Sequence, residues 1–173
     1  RFQAVIYLDK PLYDVFSNIK KEYRTKIRSA DKNGITIYKG NQESLKYLYL
    51  HTQNKYPRDL RYYEDCFYFF EKRNMIDFYY AKLDINHFLK NLQKKYQLKV
   101  QESEKFNHDV IMLQKHNSKR SIAKKIRLET EVSKYRADLI DATNIMSQNP
   151  TGIVVASLLT IKYGDTIYML MDG

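Results

Sequence analysis

Two apolar stripes, one in residues 84–117 and one in residues 118–149, constrain this chain more than any other feature of its sequence. In the first, Ile85, Leu89, Leu92, Tyr96, Phe106, Val110 and Leu113 step by threes and fours. In the second, Leu128, Val132, Tyr135, Leu139, Ala142 and Met146 do the same. So narrow a stripe is the seam of a coiled coil rather than the wider face of a core helix. The turn is expected at Asn117 and Ser118, which makes the halves antiparallel and gives an arm of roughly 50 Å at 1.5 Å per residue. The same rhythm places Lys99 and Ser103 in the seam, so the middle of the first helix is a weak stretch. Ile122 and Ile126 fall out of phase with the second stripe, and irregular packing is expected near the tip.

Strand-like runs flank the stripes, at 75–83 and 152–163, and 166–171 makes a second strand behind the Gly164-Asp165 hinge. Upstream, 2–8 alternates as a strand and Pro11 opens a helix expected to continue to about Lys32, because Pro at a first turn sacrifices no hydrogen bond. Asn33-Gly34 stops it, 35–38 reads as a short strand, Asn41 caps a helix to about His51, 55–61 is a loop around Pro57, and 62–73 is an aromatic-rich helix. This order predicts an α+β fold with a mixed or antiparallel sheet, since a tight turn joins the last two strands. One domain, residues 1–83 with 150–173, is expected to carry the arm at 84–149 as an insertion. The chain opens at Arg1 and stops behind a strand-like run, from which a piece of a longer protein is expected.

Thirty Lys and Arg against twenty Asp and Glu leave a net charge of +10, concentrated before residue 150. That balance favours polyanions such as tRNA, nucleotide diphosphates or an anionic membrane face, although it also serves solubility. Cys66 is the one cysteine, so no internal disulfide forms, and its aromatic neighbours mark it as a buried inert thiol. No run is apolar enough to span a membrane.

Two basic clusters are candidate binding sites. Lys20, Arg24, Arg28 and Lys32 step by four and form one cationic ridge on the first helix, with Arg supplying a fork suited to phosphate. An ordinary solvated face with Glu22 and Asp31 as partners makes the same pattern, and spacing leaves the two readings even. At the arm tip, Lys115, Lys119, Arg120, Lys124, Lys125 and Arg127 occur in a window whose one acid is Asp109. They suit RNA backbone or anionic head groups, or else keep a coiled coil soluble and specify its pairing. The four histidines lack metal-ligand spacing, and no glycine-rich phosphate loop, GxSxG elbow or paired cysteines occur, so spacing indicates neither a metal nor a reaction.

The segment IKKEYRTKIRSADKNG resembles the K-x-x-x-R-x-x-I-x-x-A-x-x-x-G stretch of the FemABX peptidyltransferases, with Lys20, Arg24, Ile27, Ala30 and Gly34 as the matches. Arg58, Asp59, Tyr62 and Tyr63 resemble that family's R-D-x-x-[FY]-Y stretch, and the arm and following strand pair stand where glycyl-transferring members carry theirs. The resemblance implies most of the second of two acetyltransferase-like (GNAT-type) subdomains interrupted by an antiparallel coiled-coil arm. It implies transfer of an amino acid, glycine being expected, from aminoacyl-tRNA to the stem-peptide lysine of lipid II or a UDP-linked muropeptide. It places Arg24, with Lys20, Arg28, Arg58 and Tyr63, on the substrate, requires no cofactor beyond aminoacyl-tRNA as co-substrate, and leaves the catalytic residues unassigned. A cytoplasmic setting, peripheral contact with the inner membrane face and pairing with sibling transferases go with it. The alternatives are a non-catalytic RNA- or protein-binding module using the basic arm, and a coiled-coil dimerisation element.

Overall fold

The computed structural model describes residues 5–56, 58–112 and 118–173. In chain order the elements are α1 (Leu12–Asn18), α2 (Lys21–Lys32), β1 (Ile35–Lys39), a 3-10 turn (Gln42–Ser44), α3 (Leu45–Thr52), α4 (Leu60–Glu71), β2 (Ile76–Leu83), α5 (Ile85–Met112), α6 (Lys119–Gln148), β3 (Ile153–Tyr163) and β4 (Thr166–Asp172). The four strands form one sheet in the order β1-β2-β3-β4, antiparallel at every pairing. The α+β class expected from the sequence is what forms, and of the two sheet types left open it is the antiparallel one.

Alternation along β2 puts Ile76, Phe78 and Tyr80 on one face of the sheet, and α3 and α4 cover that face. Leu45 and Leu48 of α3, Tyr63 and Phe67 of α4, Ile76 and Phe78 of β2 and Leu159 of β3 make the buried core. Gly40 lets the backbone close on this core. Its N–H donates to the Phe78 carbonyl at 2.8 Å, and a Cβ there would overlap the Phe78 ring. Asn41 caps the next turn through Ser44, and the Asp59 carboxylate accepts from the Tyr62 N–H at 2.9 Å, so α4 begins at Leu60, inside the expected loop.

Two upstream expectations fail. Val5–Leu8, the described end of the expected first strand, pairs with no strand among the described residues and is exposed, because alternation without a neighbouring sheet edge leaves the backbone unpartnered. Residues 2–4 of that expectation lie outside the described residues. The helix expected from Pro11 to Lys32 breaks at Ile19 and Lys20, both extended. Ser17 and Asn18 sit at the break. Both residue types compete with helix by local hydrogen bonding, and the Ser17 hydroxyl already donates to the Asp14 carbonyl at 2.9 Å. No side chain of α1 is buried to hold the helix through that point.

Between β2 and β3, α5 and α6 run antiparallel. Phe88 and Leu92 share a cavity with Ala142 and Ile145, Lys99 pairs with Glu131 at 2.9 Å, and the Lys124 ammonium lies 4.7 Å from the Phe106 ring centre. Numbers rise on one helix as they fall on the other. Ile85, Leu92, Leu128 and Ala142 are buried, while Ile122 and Ile126, out of phase with the stripe, are exposed. The base is tied down at both ends: Leu83 pairs with Ile153, the Asp84 N–H donates to the Gly34 carbonyl at 2.9 Å, and the Asn91 carboxamide donates to the Lys32 carbonyl at 2.7 Å. The expected turn residue Asn117 lies outside the described residues.

Because the core and the outer hairpin share no buried side chains, Phe106→Asp is expected to melt the distal part of α5 and α6 alone. Hydrogen exchange should then show lost protection around Phe106 and Lys124 and unchanged protection at Phe78 and Leu159. Global loss of protection would mean that the hairpin and sheet fold as one unit.

Candidate functional site

The break between α1 and α2 shapes the first basic cluster. Lys20 is the residue before α2, so Lys20, Arg24, Arg28 and Lys32 all keep their phase on one helix despite the break. Arg24 is half-buried, and its guanidinium donates back to the Ser17 carbonyl, an acceptor the break left without a helical partner. The Arg28 guanidinium lies 5.3 Å from the Phe16 ring centre. Both arginines thus lean toward α1, and one of five N–H donors on Arg24 is engaged there. Lys20 is exposed beside them. The local result is a guanidinium held in a fixed direction, with spare donors and two further cations close in sequence.

The aromatic stretch at Arg58–Tyr63 separates into different jobs. Asp59 caps α4. Arg58 is exposed and stacks over Tyr62, 5.0 Å from its ring centre. Tyr63 is fully buried, and its hydroxyl lies 2.9 Å from that of Thr52, which donates to the Leu48 carbonyl at 2.7 Å. Tyr63 therefore bolts α4 to α3. Substrate contact expected of it is corrected to a core role, because no part of its side chain reaches solvent in this structure.

The tip cations are not equivalent. Lys115 lies outside the described residues. Lys124 covers Phe106, Lys125 approaches Glu129 at 3.8 Å, and Arg127 pairs with Glu131 at 3.1 Å. Among the described residues, Lys119 and Arg120 have no carboxylate partner. They occupy the first turn of α6, behind the Ser118 cap, where a helix dipole disfavours positive charge unless an anion is near.

Three polar groupings join residues that are distant in sequence. Lys99, in the weak middle of the seam, bonds both Glu102 at 2.8 Å and Glu131 at 2.9 Å, with Arg127 on the far side of Glu131. His51 Nδ1 lies 3.1 Å from the Ser157 hydroxyl, linking the end of α3 to β3. At the base of the hairpin, Lys82 projects into a polar cavity of about 270 Å³ with Thr36, Tyr38, Asp84 and Thr151. The first and third carried a sequence signal: the seam rhythm falls on Lys99, and alternation along β2 puts a lysine on the face that holds Phe78 and Tyr80.

With this geometry in hand, comparison with known proteins is decisive at the level of family. The FemAB family model matches residues 1–173, the whole chain. The chain belongs to the FemAB family. Members of this family are transferases in peptidoglycan bridge synthesis. Among solved structures, the crystal structure of FemX is similar, with a TM-score of 0.59 and 19% sequence identity. That match covers 95% of this chain and 42% of the FemX chain, so the chain spans less than half the length of its structural relative. No curated protein sequence matches the chain. Among the described residues, no helix is long and apolar enough to cross a membrane.

The Lys99–Glu131 network makes hairpin stability depend on pH at both ends. Hydrogen bonds from Lys99 and then Arg127 hold the Glu131 carboxyl below its ordinary 4.5, so its contribution is complete above that value and is lost as pH falls through the depressed value. Hydrogen bonds to Glu102 and then Glu131 hold the Lys99 ammonium above its ordinary 10.5, so its contribution is complete below that value and is lost as pH rises through the raised one. Helical signal followed through acid titration is expected to fall below pH 4.5, and Glu131→Gln should remove the part of that loss due to this pair. Identical acid limbs in parent and variant would show that the pair adds nothing.

Proposed function

We propose that this chain forms part of a tRNA-dependent aminoacyltransferase that carries glycine from aminoacyl-tRNA to the stem-peptide lysine of lipid II or a UDP-linked muropeptide. The observation that supports it most is the FemAB match over all 173 residues. In this reading the globular part is an acetyltransferase-like subdomain and α5 with α6 is its coiled-coil arm. Acyl transfer from an ester to an amine requires an unprotonated nucleophile, an aligned carbonyl and stabilisation of the developing oxyanion. It needs no cofactor beyond the aminoacyl-tRNA.

Arg24 then receives the acceptor's phosphates, with Lys20 and Arg28 beside it and Arg58 as a further cation. A guanidinium already oriented by Ser17 loses little freedom on binding an anion, which favours it over a freely rotating side chain. Lys119 and Arg120, with Lys115, take the tRNA backbone at the arm tip. Lys124, Lys125 and Arg127 are already engaged within the hairpin and add less. Peripheral contact with the inner membrane face and pairing with a sibling transferase complete the proposed setting.

Arg24→Ala in the transferase is expected to weaken precursor binding by about 1.5–3 kcal/mol, the scale of a charge-assisted phosphate contact. Arg24→Lys keeps a charge but loses the fork, and should recover part of that loss if phosphate is the target. Full affinity in both variants would assign Arg24 to holding α1 alone. For the arm, tRNA affinity across a salt series should show a log–log slope that flattens by about 1–2 units in the Lys119→Gln, Arg120→Gln double variant. Equal slopes would remove the tip from the tRNA interface, and lost binding to anionic vesicles in the same variant would move it to the membrane.

A further inference from the structure

The polar cavity at the hairpin base collects features that the fold alone does not require. Lys82 is half-buried on the face of β2 that otherwise carries Ile76, Phe78 and Tyr80. Among the described residues it makes no ion pair, which leaves its ammonium available to an anion. The β2–β3 register shifts between Ala81 and Lys82, leaving Val155 as the extra residue of a bulge, and such bulges re-aim a side chain while interrupting the ladder. Gly152 sits at φ +92° against this spot. A Cβ there would meet the Leu83 carbonyl oxygen at 2.6 Å and the Lys82 Cε at 3.0 Å, so the backbone contact and the positive φ require glycine beside the lysine.

The opposite charge stands in the same cavity. Asp84 Oδ1 accepts from the His87 N–H at 3.1 Å, which orients the carboxylate, and among the described residues its second oxygen accepts no hydrogen bond. Thr36 is the cross-strand neighbour of Lys82, and its hydroxyl and that of Thr151 line the same space. An isolated phosphate would meet Asp84 as a like charge, and a simple amine would meet Lys82 as one. A ligand carrying both signs on adjacent atoms avoids either penalty.

We propose that this cavity binds an α-amino-acid group, its carboxyl or acyl oxygen on Lys82 and its ammonium on Asp84. Resting on the transferase reading above, it is where the aminoacyl end of the charged tRNA is held. The aminoacyl ester offers Lys82 a neutral carbonyl oxygen in place of the carboxylate and so is held more weakly than the free amino acid, while its α-ammonium on Asp84 distinguishes a charged from an uncharged tRNA end.

The test is NMR titration of the isotopically labelled chain with glycine, N-acetylglycine and glycinamide. Glycine is expected to shift the amides of Thr36, Lys82 and Thr151 saturably, at the weak affinity so small a ligand can reach. N-acetylglycine and glycinamide each lack one charge and are expected to bind at least about tenfold more weakly. Lys82→Gln should cost glycine a similar factor. Asp84→Asn, which retains a capping side chain for α5, should do the same and serves as a second reading if Lys82→Gln does not fold. No saturable shift with glycine, equal binding of N-acetylglycine, or unchanged glycine affinity in the folded variants would each overturn the proposal. Its failure is separable from failure of the transferase reading. Glycine binding in a protein that transfers no aminoacyl group would sink the enzyme and keep the site, whereas transfer at the parent rate by Lys82→Gln would sink the site and keep the enzyme.

Discussion

The antiparallel pairing of β2 with β3 closes the connection through residues 84–152 and carries most of what else the structure does. Its register runs from Ile76 opposite Ile161 to Leu83 opposite Ile153. Bringing such distant residues together costs loop entropy, but that cost grows only with the logarithm of length, by about 0.6 kcal/mol per doubling. The intervening residues also pack on themselves, so the span closed is much shorter than the chain within it. The same ladder sets Phe78 beside Leu159 beneath α3 and α4, and its register shift falls at Lys82, which lines the cavity. Core, hairpin base and cavity therefore share one constraint.

Periodicity made the hairpin legible because its signal is local and repeated. Alternation did the same for β2 and β3, and the Gly164 turn for β4. The break at Ile19 and Lys20 was hidden because a helix-compatible apolar spacing continues across it. What stops the helix is the absence of anything to pack on, together with Ser17 and Asn18. The false strand before Pro11 has the same origin: alternation predicts a strand only where a sheet edge exists to receive it.

Sites were less legible than elements. The family resemblance drew attention to Arg24 and to Tyr63, but only burial separates a half-exposed guanidinium from a tyrosine sealed against Thr52. At the arm tip a run of cations looked uniform, and the structure divides it by i,i+4 carboxylates and by the Phe106 ring. Lys99 read as a defect in the seam. It is instead the hub through which α5 grips α6, with Glu131 shared by Arg127. For Tyr63, Lys124 and Lys99 the deciding partner is remote in sequence, and one-dimensional spacing has no term for it.

The proposed activity is acylation of the stem-peptide lysine from a charged tRNA. Single-turnover transfer tests that most directly. The FemAB-family protein is mixed with lipid II and tRNA charged with isotopically labelled glycine, and product is analysed by mass spectrometry. The account predicts glycine on the lysine ε-amine, with none when the tRNA is uncharged. Persistent absence of label from that amine, across the set of aminoacyl-tRNAs and with both reactants bound, would contradict it.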